Sequence, residues 1–376
     1  MIKKDSKIIL LLYEDRVTLN SSTNVGGVIT ACQRVLNAHK QLNLSISTYR
    51  YTDFGKNRRF LLPLRLLIDL YIMLNKSRDS NYVYLMTDPS SFVRTILFIF
   101  LSKILFYKYK IYVDIRGGGP KVRLEDLTLS INKIGLLLIY ILSNKVILQT
   151  PKLSKIPNKF ISKAFFLPNT IFKSNLDLLK VKSNQSSYTL NKGENPKFKI
   201  IYSGRIHESK GIMLIIELLD TSLSKFIEIS FIGPIELKDD LRNKFLNLID
   251  NKLINYYGVY KNQSFLIKTL SEHDLFLFPS SHKTEGMPNS ILDAISSRTP
   301  ILTSNCGFIE DLYSLNHLTF INKLNIFSLI ESLEEIMNNY SIFKNKSNAA
   351  YEFSLKNYTF DNYVERLKSL YNIRIN

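Results

Sequence analysis

Short runs of consecutive apolar residues recur along this chain, separated by longer segments whose apolar positions repeat every three or four residues. The first pattern predicts strands buried on both faces and the second predicts helices that turn one stripe toward a core. KIILLLY (7–13), YVYLM (82–86), KIYVDI (110–115) and KVILQT (145–150) read as strands of one sheet, with GGVITACQRVLNAH as the helix after a glycine loop. KIIYS (199–203), IEISFIG (227–233), NYYGVY (255–260), DLFLFPSS (274–281) and PILTS (300–304) read as strands of a second. Their spacing leaves room for crossover helices between parallel strands, so the expected class is α/β, built twice. Between the two halves, Lys180 to Lys197 is polar, poor in aliphatic residues and rich in turn formers, and is expected to be an interdomain link or an insertion. No repeat of fixed period is evident.

Length agrees, since 376 residues is about two domains at roughly 150 residues each. Cys32 and Cys306 are too few for a disulfide scaffold, and both sit in apolar surroundings that suit reduced, buried thiols. The amino end meets charge after a short apolar run and reads as a first strand in place of a signal peptide. Net charge is +18, and residues 1–170 carry 26 Lys and Arg against 10 Asp and Glu. A basic half beside a nearly neutral one predicts an anionic partner on one side. No zinc spacing, helix-turn-helix signature or RNP-like aromatic pattern accompanies the charge, which argues against nucleic acid.

Three stretches of the basic half are strongly apolar and edged with cations, at 58–76, 92–110 and 131–145. Each can be a packed helix of the first domain. None is long enough between charges to cross ~30 Å of hydrocarbon, whereas residues 92–110 also have the aromatic, lysine-edged composition of an interfacial helix.

The segment most informative about chemistry is TEGMPNSILDAISSRTPIL (284–302). Glu285 precedes a Gly-Met-Pro turn, and Pro288, Asn289 and Ser290 look like the opening of a helix whose free amide N–H groups suit ligand oxygens. Asp293 lies roughly two turns on, so the two carboxylates can reach different parts of one ligand. A surface helix with solvated or capping acids is the plain alternative. Ile291, Leu292, Ala294 and Ile295 form a core-facing stripe, and Arg298-Thr299-Pro300 ends the helix before the next strand, which together describe one corner of an α/β crevice.

A second motif, GRIHESKG (204–211), lies between a strand and the apolar helix IMLIIELL. Gly204 and Gly211 permit close backbone approach, and Arg205 and Lys210 are spaced to clasp a diphosphate from two sides. Taken alone, either cation is an ordinary solvated loop residue. Near the amino end, Gly26 and Gly27 form a further glycine pair before a helix, and Gly117, Gly118 and Gly119 another flexible loop. Glu310, after Gly307, reads as a helix-start charge.

GRIHESKG and EGMPNSILDAI, about 80 residues apart, resemble the C-terminal domain of retaining GT-B glycosyltransferases, specifically the nucleotide-sugar-dependent family four. NVGGVITACQRVLNAHKQL (24–42), VDIRGGG (113–119), FLPNTIF (166–172) and YTFDNYVERLKSLY (358–371) extend the likeness over most of the chain. The resemblance implies two Rossmann-like domains facing each other across a donor and acceptor cleft. These are an acceptor-binding domain over 1–175, a nucleotide-sugar domain over 196–355, and a C-terminal helix over 356–376 returning toward the first. It also implies that Arg205 and Lys210 bind the donor diphosphate. Glu285 then partners the transferred sugar with the backbone of Gly286, Met287 and Asn289, Asp293 grips the ribose, and Gly26 and Gly27 border the donor. Asp293 is one methylene shorter than the Glu more usual in the family, and VDIRGG offers Asp114 and Arg116 where the family has a histidine.

No Asp-x-Asp occurs, and His39, His207, His273, His282 and His317 show no metal-ligand spacing. Positive side chains and helix dipoles are then expected to stabilise the leaving diphosphate with no metal and no cofactor beyond the donor. The expected activity is transfer of a sugar, with retention, to a lipid-linked or other saccharide acceptor in bacterial surface-polysaccharide assembly. The expected location is the cytoplasm, peripherally on the inner, anionic face of the membrane. A nucleotide-sugar epimerase on the same fold and a non-catalytic protein that binds anionic polymer or membrane are the alternatives.

Overall fold

The computed structural model describes residues 6–12, 27–50, 62–88, 91–105, 107–117, 131–150, 158–172, 197–260, 262–282 and 285–373. Gly26, Gly118, Gly119 and nearly all of the expected link at 180–197 lie outside the described residues. Two compact units emerge, one comprising residues 1–169, 283–287 and 360–376, the other residues 170–282 and 288–359.

The first unit holds strands β1 (Lys7–Leu12), β2 (Ser45–Arg50), β3 (Tyr82–Thr87), β4 (Lys110–Ile115), β5 (Lys145–Leu148) and β6 (Ala164–Phe166). They form one parallel sheet in the order β2-β1-β3-β4-β5-β6. β1 is buried from Ile8 onward and β3 along its whole length, because helices cover both faces of a parallel sheet and leave no side for polar residues. β2, reading SISTYR, sits at the sheet edge with partly exposed residues, so it lacks the apolar run that marks the inner strands. Helices α1 (Gly27–Gln41), α2 (Leu62–Ser77), α3 (Phe92–Ile104) and α4 (Ile131–Leu142) are the crossovers. Within the three cation-edged apolar stretches the described residues form helices α2, α3 and α4, with Lys110 and Lys145 already opening β4 and β5, and no helix among the described residues is long and apolar enough to cross a membrane.

The second unit repeats the plan with β7 (Phe198–Ser203), β8 (Ile227–Ile232), β9 (Asn255–Tyr256), β10 (Leu275–Phe278), β11 (Ile301–Thr303) and β12 (Thr319–Phe320). All are parallel, in the order β12-β11-β10-β7-β8-β9. Its helices include α5 (Ile212–Glu217), α6 (Gln263–Ser271), α7 (Asn289–Ser296), α8 (Ile326–Asn338) and α9 (Tyr340–Asn357). The strand expected over 255–260 stops at Tyr256, because Gly258 turns the chain with φ 72°. The run IMLIIELL is helical only to Glu217 and then tightens into a 3₁₀ turn over Leu218–Asp220.

The last helix, α10 (Phe360–Leu370), belongs to the first unit. Its Tyr363, Val364, Leu367 and Leu370 join Ala31, Cys32, Val35 and Leu36 of α1 in the core under β1. Just beyond it, Tyr371 reaches His39, also on α1. Nδ1 of His39 lies 2.7 Å from the Val35 carbonyl, which can only accept, so Nδ1 carries the proton and Nε2 accepts from the Tyr371 hydroxyl at 2.8 Å. Burial pushes the imidazole down to about 4, against the opposing pull of the Val35 hydrogen bond.

The folded protein keeps His39 neutral while the unfolded chain takes up a proton near pH 6.5, so this contribution to stability is full above 6.5 and is lost as pH falls toward about 4. Chemical unfolding should therefore show a loss approaching about 3 kcal/mol across that window from this group. A His39→Phe variant should show a shallower acid slope, and an equal slope in both proteins would refute the assignment.

Candidate functional site

In each sheet the chain order reverses at one point, between β1 and β3 in the first unit and between β7 and β10 in the second. Loops leaving two such strands diverge to opposite sides and open a crevice at their carboxyl ends. The GRIHESKG segment is the loop after β7, and the segment beginning at Pro279 is the loop after β10.

The first of these loops is held by close backbone contacts. Gly204 has φ 140° and Gly233, in the loop after β8, has φ 137°; a Cβ on Gly233 would fall on the Gly204 carbonyl oxygen. With no side chains in the way the two loops continue the ladder past the sheet, through Ile206 N–H to Pro234 O at 2.8 Å and Glu236 N–H to Ile206 O at 2.9 Å. Gly211, at φ 73°, leaves room for the Pro279 carbonyl, and Ser281 N–H donates to Ser209 O at 3.0 Å. The His207 Nδ1 accepts from the Ser209 N–H at 3.1 Å and caps the short turn that carries Lys210.

The two cations are held differently. Arg205 is half exposed, and its Nη1 donates to Glu236 Oε2 at 3.1 Å. Lys210 is 8% exposed, with Nζ 6.0 Å from the centre of the Phe278 ring. Burial, and then the positive charge of Arg205, push its ammonium down to about 8, while Cys306 and Glu236 pull the other way. Both leading causes oppose positive charge, and an arriving anion would relieve both. Burial raises the Cys306 thiol, so it stays protonated near neutrality and is a poor nucleophile.

Helix α7 starts at Asn289 with Pro288 as its N-cap, one residue later than the expected opening, and Arg298 terminates it in the left-handed conformation with φ 55°. Asp293 is partly buried on this helix, and its Oδ1 accepts from Gln263 Nε2 on α6. The Tyr260 hydroxyl is raised by burial and by the charge of Asp293, which places a second polar group beside that carboxylate. Gln263, Tyr260 and Glu236 escape motif reading because they lie in segments with no signature of their own.

Glu285, Gly286 and Met287 group with the first unit. A Cβ on Gly286 would meet the flexible end of Gln149 at Oε1 and come within 3.0 Å of Gly117 Cα, so a side chain there would have to displace Gln149 and crowd the Gly117 backbone. The Met287 carbonyl accepts from Asn169 Nδ2 at 2.7 Å. Asp114 is wholly buried, and its Oδ2 receives Arg116 Nη2 at 2.7 Å, so that carboxylate is an internal, paired group. Gly27 is the first residue of α1. Glu310 stands in the first turn of a short helix, Ile309–Leu312. No group of three or more His, Cys, Asp or Glu converges among the described residues in a way that could hold a metal.

The fold is that of solved GT-B glycosyltransferase structures. Residues 189–353 match the family model described as Glycosyl transferases group 1. Among solved structures, Alr3699/HepE from Anabaena in complex with UDP and glucose aligns over 98% of this chain and 100% of its own, at 9% identity and TM-score 0.66. Sucrose-phosphate synthase from Thermosynechococcus elongatus aligns over 98% of each chain at 10% identity and TM-score 0.67. TarM from S. aureus, as a mutant in complex with Fondaparinux, alpha-GlcNAc-glycerol and UDP, aligns over 82% of this chain and 59% of its own at 18% identity and TM-score 0.58. Comparison by sequence with curated proteins gives no match.

A nitrogen-detected NMR titration of the lysine ammonium groups should find Lys210 with a midpoint near 8, well apart from the surface lysines. Added pyrophosphate should move that midpoint upward. A midpoint in the usual lysine range, unmoved by pyrophosphate, would remove Lys210 from the anion site.

Proposed function

We propose that this protein is a retaining, metal-independent glycosyltransferase that takes a sugar from a nucleoside diphosphate donor and passes it to a membrane-associated, lipid-linked or other saccharide acceptor, in bacterial surface-polysaccharide assembly. The observation that carries the reading is Lys210, a buried ammonium beside a second cation at the carboxyl end of β7, where the sheet order reverses. A departing diphosphate develops negative charge as the glycosidic bond breaks, and preorganised cations stabilise that charge more than they stabilise the ground state. In this reading Arg205 and Lys210 meet the diphosphate. Glu285, with the backbone of Gly286, Met287 and Asn289, meets the transferred sugar, Asp293 meets the ribose hydroxyls, and Gly26 and Gly27 border the donor. The ligands named with the Anabaena and S. aureus structures, UDP among them, are consistent with a site for a nucleoside diphosphate.

The membrane part of the proposal rests on one face of the first unit. Leu67 and Tyr71 on α2, Phe100 and Ile104 on α3, and Ile134 and Ile141 on α4 are all exposed. Helices α3 and α4 contain no acidic residue, and Lys103, Lys108 and Lys110 are exposed at and after the end of α3. Apolar side chains among cations, without acids, suit an anionic lipid surface on the cytoplasmic side.

A panel of nucleotide sugars, scored for donor turnover with and without acceptor, tests the activity. With the accepted donor, Glu285→Gln should lower kcat by roughly 10² or more, because a group beside the anomeric carbon acts on charge that appears only in the transition state. Asp293→Asn should instead raise the donor KM by about tenfold or more, since a charged hydrogen bond to ribose persists through the reaction and is worth ~1.5–3 kcal/mol. An unchanged donor KM in the second variant would return Asp293 to a helix-surface acid paired with Gln263.

Vesicle sedimentation tests the membrane reading. Binding to anionic vesicles should be strong at low salt and fall steeply toward physiological ionic strength, where charge is screened beyond ~8 Å. Equal binding to zwitterionic vesicles, or no binding at low salt, would refute it.

A further inference from the structure

We propose that Asn169 is the positioning residue of the Glu285–Met287 turn, holding it through an amide whose orientation is dictated by two buried arginines. Asn169 is 3% exposed and follows β6. Its Oδ1 accepts from Arg34 Nη1 at 2.6 Å and from Arg116 Nη1 at 3.0 Å. A guanidinium can only donate, so the oxygen of the amide must face the arginines and the NH₂ must face away. That NH₂ donates to the Met287 carbonyl at 2.7 Å, and the Asn169 backbone N–H lies 3.1 Å from Met287 Sδ.

The arginine that sets this orientation is itself fixed on three sides. Arg116 Nε donates to Asp114 Oδ2 at 2.8 Å, Nη2 lies 2.7 Å from the same oxygen, and Nη2 also donates to the Tyr363 hydroxyl at 3.2 Å. The Tyr84 hydroxyl donates to Asp114 Oδ2 in turn. The chain of contacts runs from the middle of the first sheet, through α1 and α10, to one carbonyl of the turn. Glu285 stands two residues before that carbonyl, and Gly286 between them lies where an added Cβ would meet Gln149 and Gly117. The functional half of the proposal rests on the reading that Glu285 serves the transferred sugar. The tether itself does not.

A purely structural role, with Asn169 serving only as an acceptor for Arg34 and Arg116, is separated by Asn169→Asp. The carboxylate has the same shape and pairs more strongly with the two arginines, yet it turns an acceptor toward the Met287 carbonyl in place of a donor. The variant should melt at or above the parent temperature. Hydrogen exchange of the peptide carrying residues 285–289 should speed by about tenfold or more while β4 exchanges as in the parent, since a lost hydrogen bond is now joined by repulsion. Donor kcat should fall by about tenfold or more with KM changed less than kcat. Asn169→Ala leaves the arginines without their acceptor and should melt lower, which calibrates the structural contribution.

Exchange of the turn at the parent rate in Asn169→Asp would overturn the tether, as would a lower melting temperature with exchange raised equally throughout the first unit. If the parent turns over no nucleotide sugar, the glycosyltransferase reading fails while exchange still decides the tether. If exchange speeds and turnover stays at the parent level, the tether stands and the positioning role falls.

Discussion

Parallel strands cannot be joined by tight turns, and this single restriction organises both halves of the molecule. Each connection must travel back along a face of the sheet, so every loop that leaves a carboxyl end lies on the same edge. Where the order of strands reverses, successive loops part, and chemistry can be placed between them. Segment 204–211 leaves β7 at that point in the second sheet, and the segment beginning at Pro279 leaves its neighbour β10. Strands buried on both faces, such as β1 and β3, are the sequence signature of the same restriction.

The loop after β7 turns this placement into electrostatics. Three glycines let backbone approach backbone at Gly204, Gly211 and Gly233, and the compaction that follows withdraws Lys210 from water next to Arg205. Holding an ammonium there costs on the order of 3 kcal/mol relative to water, judged from its lowered proton affinity. An anion bound there would recover much of that cost.

The first unit handles charge in the opposite way. Arg34, Arg116 and Asp114 are buried and knit by hydrogen bonds to Asn169, Tyr84 and Tyr363, although Asp114 Oδ1 has no hydrogen-bond partner. Removing one member of such a network leaves a buried charge exposed to a medium that cannot solvate it, so the set acts as a rigid unit. The same unit leaves aliphatic and aromatic side chains of α2, α3 and α4 uncovered.

The class of the fold and most inner strands were legible in the sequence, because burial on both faces writes itself as an unbroken apolar run. Edge strands β2 and β12 and the three-residue β6 were not, since half-exposed or very short segments carry no such run. Arg205, Lys210, Glu285 and Asp293 stood out because glycine and proline punctuate their loops, and those residues respond to local backbone demands that sequence records directly. Glu236, Gln263, Tyr260 and Asn169 did not stand out, for each acquires its meaning from a partner between 30 and 135 residues away. Asp114 and Arg116 stand in sequence where the resembled family has a histidine, and the structure buries both. The sequence by itself determined the inner strands, most helices and where the backbone must turn sharply, because these depend on near neighbours and on burial pattern. Only the tertiary structure decided which charges lose water and which hydrogen-bond partners they find, because desolvation and pairing depend on what distant segments bring alongside.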